Sequence, residues 1–318
     1  MISLKHKGLY YGSDDYRYNL DRLGDLNLPF GLAESVRLQA ERVACLVLQN
    51  YLTRKQGGWG FTEDVPTLAM KHQSNLEVSL GEHEAFRDEF APGFGTAFLV
   101  TKQLVFTAAH CICYEESSEM NPKLVKATQL VFGFHGVKER SDYLFSEDQV
   151  RNATLVAYQY FRARGRKTFY SEWTDWALLK LDKEVAWDPL PLNLEKVVDK
   201  IELYMLGHPN GLSLKFTYNG MLEGNTEHDF FECKIDAFKG NSGSPVFNVA
   251  TQSVEGILIE GRPDYVITEQ KTIQALHITK SKIQSNFIGN RMENCQRIST
   301  LRHLVDKGLL DLEGLKAV

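Results

Sequence analysis

The stretch Gly240-Asn241-Ser242-Gly243-Ser244-Pro245 decides how the rest of the chain is interpreted. It follows an alternating, strand-like run from Phe230 to Ala237, and a second apolar run begins at Pro245. Glycines on both sides of Ser242 let the backbone turn sharply and expose the hydroxyl group. They also leave room for a carbonyl group beside the N–H groups of Gly240 and Ser242. The pattern predicts a strand–turn–strand unit that presents a nucleophilic serine beside an oxyanion hole.

A serine hydroxyl is a weak nucleophile at neutral pH, so it needs a neighbouring base and a group that orients the base. Two upstream stretches supply these groups. Thr107-Ala108-Ala109-His110-Cys111 closes an apolar run, and Thr174-Asp175-Trp176-Ala177-Leu178-Leu179 opens another. We therefore expect His110 to take the serine proton and Asp175 to orient the imidazole. Glu172 is a weaker candidate for the second role, because no apolar strand follows it directly.

In chain order these residues are His110, Asp175 and Ser242, which resembles the chymotrypsin and trypsin clan of serine peptidases. The hexapeptide, with Asn before the serine and Ser-Pro after Gly243, resembles the bacterial branch that includes glutamyl endopeptidases. Three further stretches resemble segments of the family: 95–110, 207–211 and 254–261. The likeness covers about residues 36–285. It implies a serine endopeptidase that cleaves proteins or peptides through an acyl-enzyme and needs no metal or organic cofactor.

Strand-like runs separated by turn signals predict an all-β chain of two antiparallel six-stranded β-barrels. Residues 33–54 fit a helix or a first barrel strand, and Val43–Gln49 is the favoured strand. We expect Gln274–Thr279 to be the last strand and residues 295–307 to form a terminal helix. The chain is predicted to divide into four parts. Residues 1–35 form an N-terminal extension, and residues 36–187 form a barrel with His110 and Asp175. Residues 188–285 form a barrel with Ser242, and residues 286–318 form a C-terminal helix with a tail.

The composition is that of an ordinary globular protein, with 318 residues of which 43% are hydrophobic and 24% charged. The formal net charge is −5, and no long basic block occurs, which argues against nucleic acid as a partner. No segment approaches the about 18 continuous apolar residues of a membrane helix, so we expect no membrane partner. The first ten residues also lack the apolar core of a secretory signal peptide.

Five cysteines occur, an odd number whose spacings match no zinc site: Cys45, Cys111, Cys113, Cys233 and Cys295. In many secreted relatives, a disulfide joins the cysteine after the histidine to one at the start of the preceding hairpin. Fifteen residues before His110 this chain has Gly95, which cannot form that bridge. The resemblance therefore implies a reducing, cytoplasmic location.

Asp236 lies six residues before Ser242. In trypsins a carboxylate at this spacing forms the floor of the specificity pocket, so the resemblance implies cleavage after Arg or Lys. The alternative is that Asp236 only caps the strand that ends at Ala237.

Further positions refine the implied specificity. Gly261 matches a glycine in the pocket wall that leaves the entrance open. Glu260 either contacts a basic substrate or forms an ordinary salt bridge at the rim. Glutamyl endopeptidases carry a histidine where this chain has Leu258, so a preference for glutamate is disfavoured. Asn241 replaces the aspartate that pairs with a newly cleaved amino terminus in animal trypsins, so that zymogen switch is absent.

The resemblance leaves three functional interpretations open. The leading one is an endopeptidase, expected to be intracellular and regulated. A second lies between enzyme and scaffold: the enzyme is inert until a protein partner or a cleavage event opens its cleft, because an unregulated trypsin-like protease in the cytoplasm would harm its host. The alternative from a different class is a catalytically silent scaffold protein that keeps the fold and binds without turnover. The intact set of His110, Asp175 and Ser242 argues against this alternative, because a scaffold is free to lose any of the three.

Overall fold

The computed structural model describes residues 17–76, 79–115, 117–162, 173–196, 200–224, 229–260, 265–267, 272–275 and 292–310. Their regular structure is mainly β-strand, numbered along the chain as β1 Arg17–Asn19, β2 Val43–Leu48, β3 Leu52–Lys55, β4 Gly58–Phe61, β5 Ser79–Leu80, β6 Gly93–Leu99, β7 Leu104–Thr107, β8 Thr128–Phe132, β9 Val150–Arg162, β10 Trp173–Leu181, β11 Glu202–Gly207, β12 Lys215–Gly224, β13 Phe230–Lys234, β14 Pro245–Asn248, β15 Val254–Glu260, β16 Tyr265–Ile267, β17 Thr272–Ala275 and β18 Glu293–Arg297. Short α-helices accompany the strands: α1 Leu32–Ala40, α2 Leu68–Leu76, α3 Pro122–Ala127 and α4 Arg302–Asp306.

The first barrel is a closed ring of six antiparallel strands in the order β10, β7, β6, β2, β8 and β9. The sequence of β2, Val-Ala-Cys-Leu-Val-Leu, is continuously apolar, as expected for a strand with both faces covered. Ala44 and Leu46 pack with residues of the other strands of the ring, whereas Cys45 and Val47 pack in a second apolar cluster. The strand predicted at Val43–Gln49 is confirmed within one residue.

The second barrel has six strands in the order β12, β11, β14, β15, β18 and β13, and pairing of β12 with β13 closes the ring. Strand β1 pairs with the other end of β12, where Arg17 lies opposite Thr217. Leu203, Phe231 and Val246 lie in the apolar interior of this barrel. The predicted fold class, all-β with two antiparallel six-stranded barrels and a C-terminal helix, is confirmed.

The sixth strand of the second barrel differs from the predicted one. Strand β18, not the predicted Gln274–Thr279, pairs with both β13 and β15. The predicted strand overlaps β17, which joins β16 and β5 in a separate three-stranded sheet, and residues 276–279 lie outside the described residues. The terminal helix predicted for residues 295–307 begins only at Arg302. The reason is that β18, Glu-Asn-Cys-Gln-Arg, buries polar side chains and so lacks the apolar alternation of an ordinary strand.

A large apolar cluster joins the two barrels. Helix α1 contributes Leu32 and Val36, the first barrel contributes Phe106 and Trp176, and the second barrel contributes Phe247, all of them buried. Close packing of this kind transmits the position of one element to the next. Residues that meet where the barrels touch are therefore held in fixed relative positions.

Candidate active site

His110 follows the first-barrel hairpin on a single 3₁₀ turn, Ala109–Cys111. Its Nδ1 atom lies 2.6 Å from Asp175 Oδ2, and its backbone N–H donates to Asp175 Oδ1 at 3.1 Å. The sequence suggested that Asp175 starts a strand, but it lies within β10, which begins at Trp173. The two contacts hold the ring with Nδ1 toward the carboxylate, which leaves Nε2 for proton transfer.

The imidazole and the carboxylate differ in exposure. The side chain of Asp175 is 1% exposed, whereas that of His110 is 31% exposed. Burial lowers the pKa of His110, but interactions with Asp175 and Cys111 raise it, and the net pKa lies well above its usual value. The buried carboxylate therefore stabilises the imidazolium form, which a base needs when it accepts a serine proton.

Gln296 holds the main chain of Asp175, and the sequence analysis missed it. Its Oε1 atom accepts from the Asp175 N–H at 3.0 Å, and its Nε2 atom donates to Asp229 O at 2.8 Å and to Thr300 Oγ1 at 2.9 Å. Gln296 lies in β18 and is 1% exposed. Because residues 295–307 were expected to be helical, no sequence signal placed this amide beside Asp175.

Ser242 occupies the turn between β13 and β14, and the first barrel contacts this turn directly. The Thr96 N–H donates to Ser242 O at 2.9 Å. Gly243 has a φ of +90°, and a Cβ atom there would lie 2.0 Å from Thr96 O, so no other residue fits. The Cys111 Sγ atom lies 3.8 Å from Ser242 O and 3.9 Å from His110 Nε2. One thiol thus contacts both the serine main chain and the free nitrogen of the histidine.

The N–H groups expected to form the oxyanion hole belong to Gly240 and Ser242. In the described part of the chain, neither donates a hydrogen bond to a backbone carbonyl, so both are available to a ligand oxygen. Gly240 has a φ of +97°, and a Cβ atom there would lie 2.7 Å from His208 O and 2.9 Å from Gly211 N. Both the conformation and the space at this position require glycine.

A cleft of about 870 Å³ opens beside the histidine. Aromatic rings and carboxylates share its lining with serines and one isoleucine: His110, Tyr114, Glu115, Ser117, Ser118, Tyr160, Phe161, Trp173, Asp175, Ile259 and Glu260. A concave surface that combines aromatic side chains with convergent polar groups is typical of a ligand site. The cleft therefore provides a binding surface next to the proposed base.

The residues expected to set specificity do not all meet in this cleft. Glu260, at the end of β15, lines it, whereas Asp236 is half-buried beyond the end of β13 and does not line it. Gly261 lies outside the described residues. Leu258 is buried in the interior of the second barrel, and its carbonyl accepts from the Gly243 N–H at 2.7 Å.

Neither a metal cluster nor a spanning helix was found in the described part of the chain. No three His, Cys, Asp or Glu side chains group closely enough there to hold a metal ion. None of the helices there is sufficiently long and apolar to cross a membrane.

The family model of the trypsin-like peptidase domain matches residues 95–257, which are 163 of the 318 residues. No curated protein matches the chain. Among solved structures, an inactive form of a Mycobacterium tuberculosis protease aligns with a TM-score of 0.45 and 13% identity, over 92% of this chain and 98% of that chain. A serine-to-alanine variant of that protein aligns with a TM-score of 0.43 and 12% identity, over 89% of this chain and 94% of that chain. The serine endoprotease from Yersinia pestis aligns with a TM-score of 0.44 and 13% identity, over 88% of this chain and 67% of that chain.

Proposed function

The chain belongs to the trypsin-like peptidase domain family, and from this premise we propose that it is a serine endopeptidase with the triad His110, Asp175 and Ser242. The observation that carries the proposal is the 2.6 Å contact between His110 and Asp175, a carboxylate that is 1% exposed. The serine turn supports it as well, since the Cys111 thiol contacts both His110 Nε2 and Ser242 O.

In the proposed mechanism, Ser242 Oγ attacks the carbonyl carbon of the scissile peptide bond while His110 Nε2 accepts the hydroxyl proton. The resulting oxyanion accepts hydrogen bonds from the N–H groups of Gly240 and Ser242. His110 then donates its proton to the leaving amine, and an acyl-enzyme on Ser242 remains. The same imidazole then deprotonates a water molecule that attacks the ester, and the resulting imidazolium gives this proton to Ser242 Oγ as the acid product leaves.

A fluorophosphonate probe tests the triad, because it reacts covalently with an activated serine hydroxyl. We expect one adduct on Ser242, located by mass spectrometry of the labelled peptides. Ser242→Ala should abolish hydrolysis without changing the melting temperature, because a small hydroxyl contributes little packing, and His110→Ala should lose nearly as much activity. Ser146→Ala, at an exposed serine, is the matched control and should behave as wild type. Full activity in Ser242→Ala or His110→Ala would show that the triad is assigned wrongly.

For substrate preference, the proposal is cleavage after Arg or Lys, with Asp236 as the partner of the substrate's charge. Its half-buried position six residues before the serine supports this role, and Glu260 and Glu115 add carboxylates on the cleft side of the site. A charge-assisted hydrogen bond from the substrate's Arg or Lys to a carboxylate contributes about 1.5–3 kcal/mol. This difference corresponds to roughly tenfold to hundredfold discrimination against an apolar residue.

Peptide-library profiling tests this preference. Wild type should favour Arg or Lys over Glu, Phe or Ala at the cleaved position, and Asp236→Ser should erase the preference while the rate of fluorophosphonate labelling stays the same. A wild-type preference for Glu or for large apolar residues would refute the role of Asp236 and leave the triad untouched.

We also propose that the enzyme works in the cytoplasm and is controlled by a partner protein. All five cysteines are free thiols, and a Cβ atom on Gly95 would lie 3.1 Å from Cys111 Sγ, where a cysteine would be needed for the bridge of secreted relatives. Labelling of fractionated cells with the fluorophosphonate probe tests the location. Labelling of the purified enzyme that appears only after lysate is added would support an activating partner, and full labelling without lysate would contradict it.

A further inference from the structure

We propose that Lys71, in helix α2, is a positioning residue that holds the oxyanion hole in its open arrangement through the loop His208–Gly211. Lys71 does not take part in the chemistry. The inference rests on the proposed function, because it assigns Lys71 to the oxyanion hole of that same active site.

The Lys71 ammonium group is bound by three main-chain oxygens from two places in the fold, the segment 91–93 and the loop His208–Gly211. Its Nζ atom donates to Ala91 O at 3.1 Å, to Gly93 O at 2.5 Å and to Asn210 O at 2.8 Å. An ammonium group that leaves water needs an acceptor for each of its three protons, and these three carbonyls provide them. Burial, partly opposed by Cys45 and reinforced by Lys239, lowers the pKa of Lys71 to about 8, which favours the charged form at pH 7.

Asn210 links Lys71 to the oxyanion hole. Its backbone N–H donates to the carbonyl of Lys239, the residue that precedes Gly240. The described residues contain no cis peptide, and in a trans peptide the C=O and N–H groups point in opposite directions. The Gly240 N–H therefore points away from the loop, as an oxyanion donor must. If the Lys239–Gly240 peptide turned over, it would break the bond to Asn210 and withdraw this N–H.

The loop is also packed directly against Gly240 and against the segment that Lys71 binds. A Cβ atom on Gly240 would lie 2.9 Å from Gly211 N, and one on Gly211 would lie 1.9 Å from Gly93 O. Thr96 fixes the other side of the hole, because its Oγ1 atom donates to Gly240 O at 2.9 Å. Asn210 itself has a φ of +56°, a strained conformation that needs such support. Loss of the ammonium group would leave the loop free to shift and the Gly240 peptide free to turn.

Lys71→Met tests the inference, because it removes the ammonium group and keeps most of the aliphatic stem. Loss of one oxyanion-hole donor lowers kcat by about 10²–10³-fold, so partial loss of Gly240 N–H alignment should lower kcat roughly tenfold to hundredfold. KM should stay within about twofold. Affinity for a peptide aldehyde, which forms a hemiacetal oxyanion on the serine, should fall by the same factor as kcat. Lys123→Met, at an exposed lysine of α3, is the matched control and should behave as wild type.

Three outcomes would overturn the assignment of Lys71: unchanged kcat, unchanged aldehyde affinity, or a rise in KM that accounts for the whole loss. Lys71→Gln covers the case in which the methionine variant does not fold, because its amide can still donate to two of the three carbonyls. A loss of kcat of about threefold or more in folded Lys71→Gln supports the inference, and unchanged kcat overturns it. If Ser242→Ala retains hydrolysis, it is the proposed function that fails, so the two failures are distinguishable.

Discussion

Asp175 controls the protonation of the site through its charge. It is almost completely buried, and both of its carboxylate oxygens face His110. Burial alone would lower the pKa of His110, and the attraction to Asp175 and Cys111 more than reverses this effect. In the proposed mechanism the histidine has to be neutral to accept the serine proton, so the acidic limb of the activity profile should lie above the ordinary histidine pKa of about 6.5.

Asp175→Asn should move that limb in a predictable direction. The amide removes the negative charge that raises the pKa of His110 and leaves the burial that lowers it. The limb of kcat/KM should therefore shift to lower pH, while kcat falls by about 10⁴-fold because the amide also favours the wrong tautomer. The pH–rate profile, with an NMR titration of the His110 ring, measures both effects. A limb that stays in place would show that Asp175 does not set the protonation of His110.

At the scale of secondary-structure elements, the sequence predicted well those parts of the site that lie on apolar strands. The hairpin of β6 and β7 and the turn at Ser242 were located because apolar runs and glycines mark them. Strand β18 was missed because it buries polar side chains, and α2 was missed because its residues show no apolar periodicity. Gln296 and Lys71, the residues that support the site from behind, lie on these two elements. Contacts that consist of hydrogen bonds to the main chain leave no pattern in a single sequence.

The role of β18 can be tested at Gln296. Gln296→Met keeps a similar volume but removes the acceptor for the Asp175 N–H and the donor to Asp229 O. The buried Asp175 N–H, left without this partner, should destabilise the protein by about 1–3 kcal/mol, whereas Asp229 O still accepts from the Arg297 N–H at 2.9 Å. Because Asp175 would also lose its fixed position, kcat should fall while KM changes little. Denaturant unfolding and steady-state kinetics measure the two effects, with Asn294→Ala on the same strand as the control. Wild-type stability in Gln296→Met would show that this hydrogen-bond network is dispensable.

At the scale of the whole molecule, the site exists only because the two barrels are packed together. The proposed base and its carboxylate come from the first barrel, and the proposed nucleophile and oxyanion donors come from the second. Thr96 bridges them, since its N–H donates to Ser242 O and its hydroxyl donates to Gly240 O. The apolar cluster of α1 and both barrels holds this junction in place. Because the nucleophile and its base sit on opposite sides of the junction, loosening it should reduce activity before either barrel unfolds.

The stability of this assembly depends on packing and not on covalent bridges, which leads to a prediction about reducing agents. All five cysteines are buried free thiols, and the two that approach each other, Cys233 and Cys295, have their Sγ atoms 3.7 Å apart, well beyond the about 2.05 Å of a disulfide. Removing a native disulfide typically costs about 2–5 kcal/mol, which for a chain of this size lowers the melting temperature by several degrees. Dithiothreitol should therefore leave both the melting temperature and kcat unchanged. Scanning calorimetry with and without the reductant measures this, and Cys233→Ser in the oxidised and reduced states serves as the control. A fall of many degrees in the melting temperature of wild type, but not of Cys233→Ser, would mean that β13 and β18 are joined covalently in the native protein. That result would also contradict the proposed reducing location.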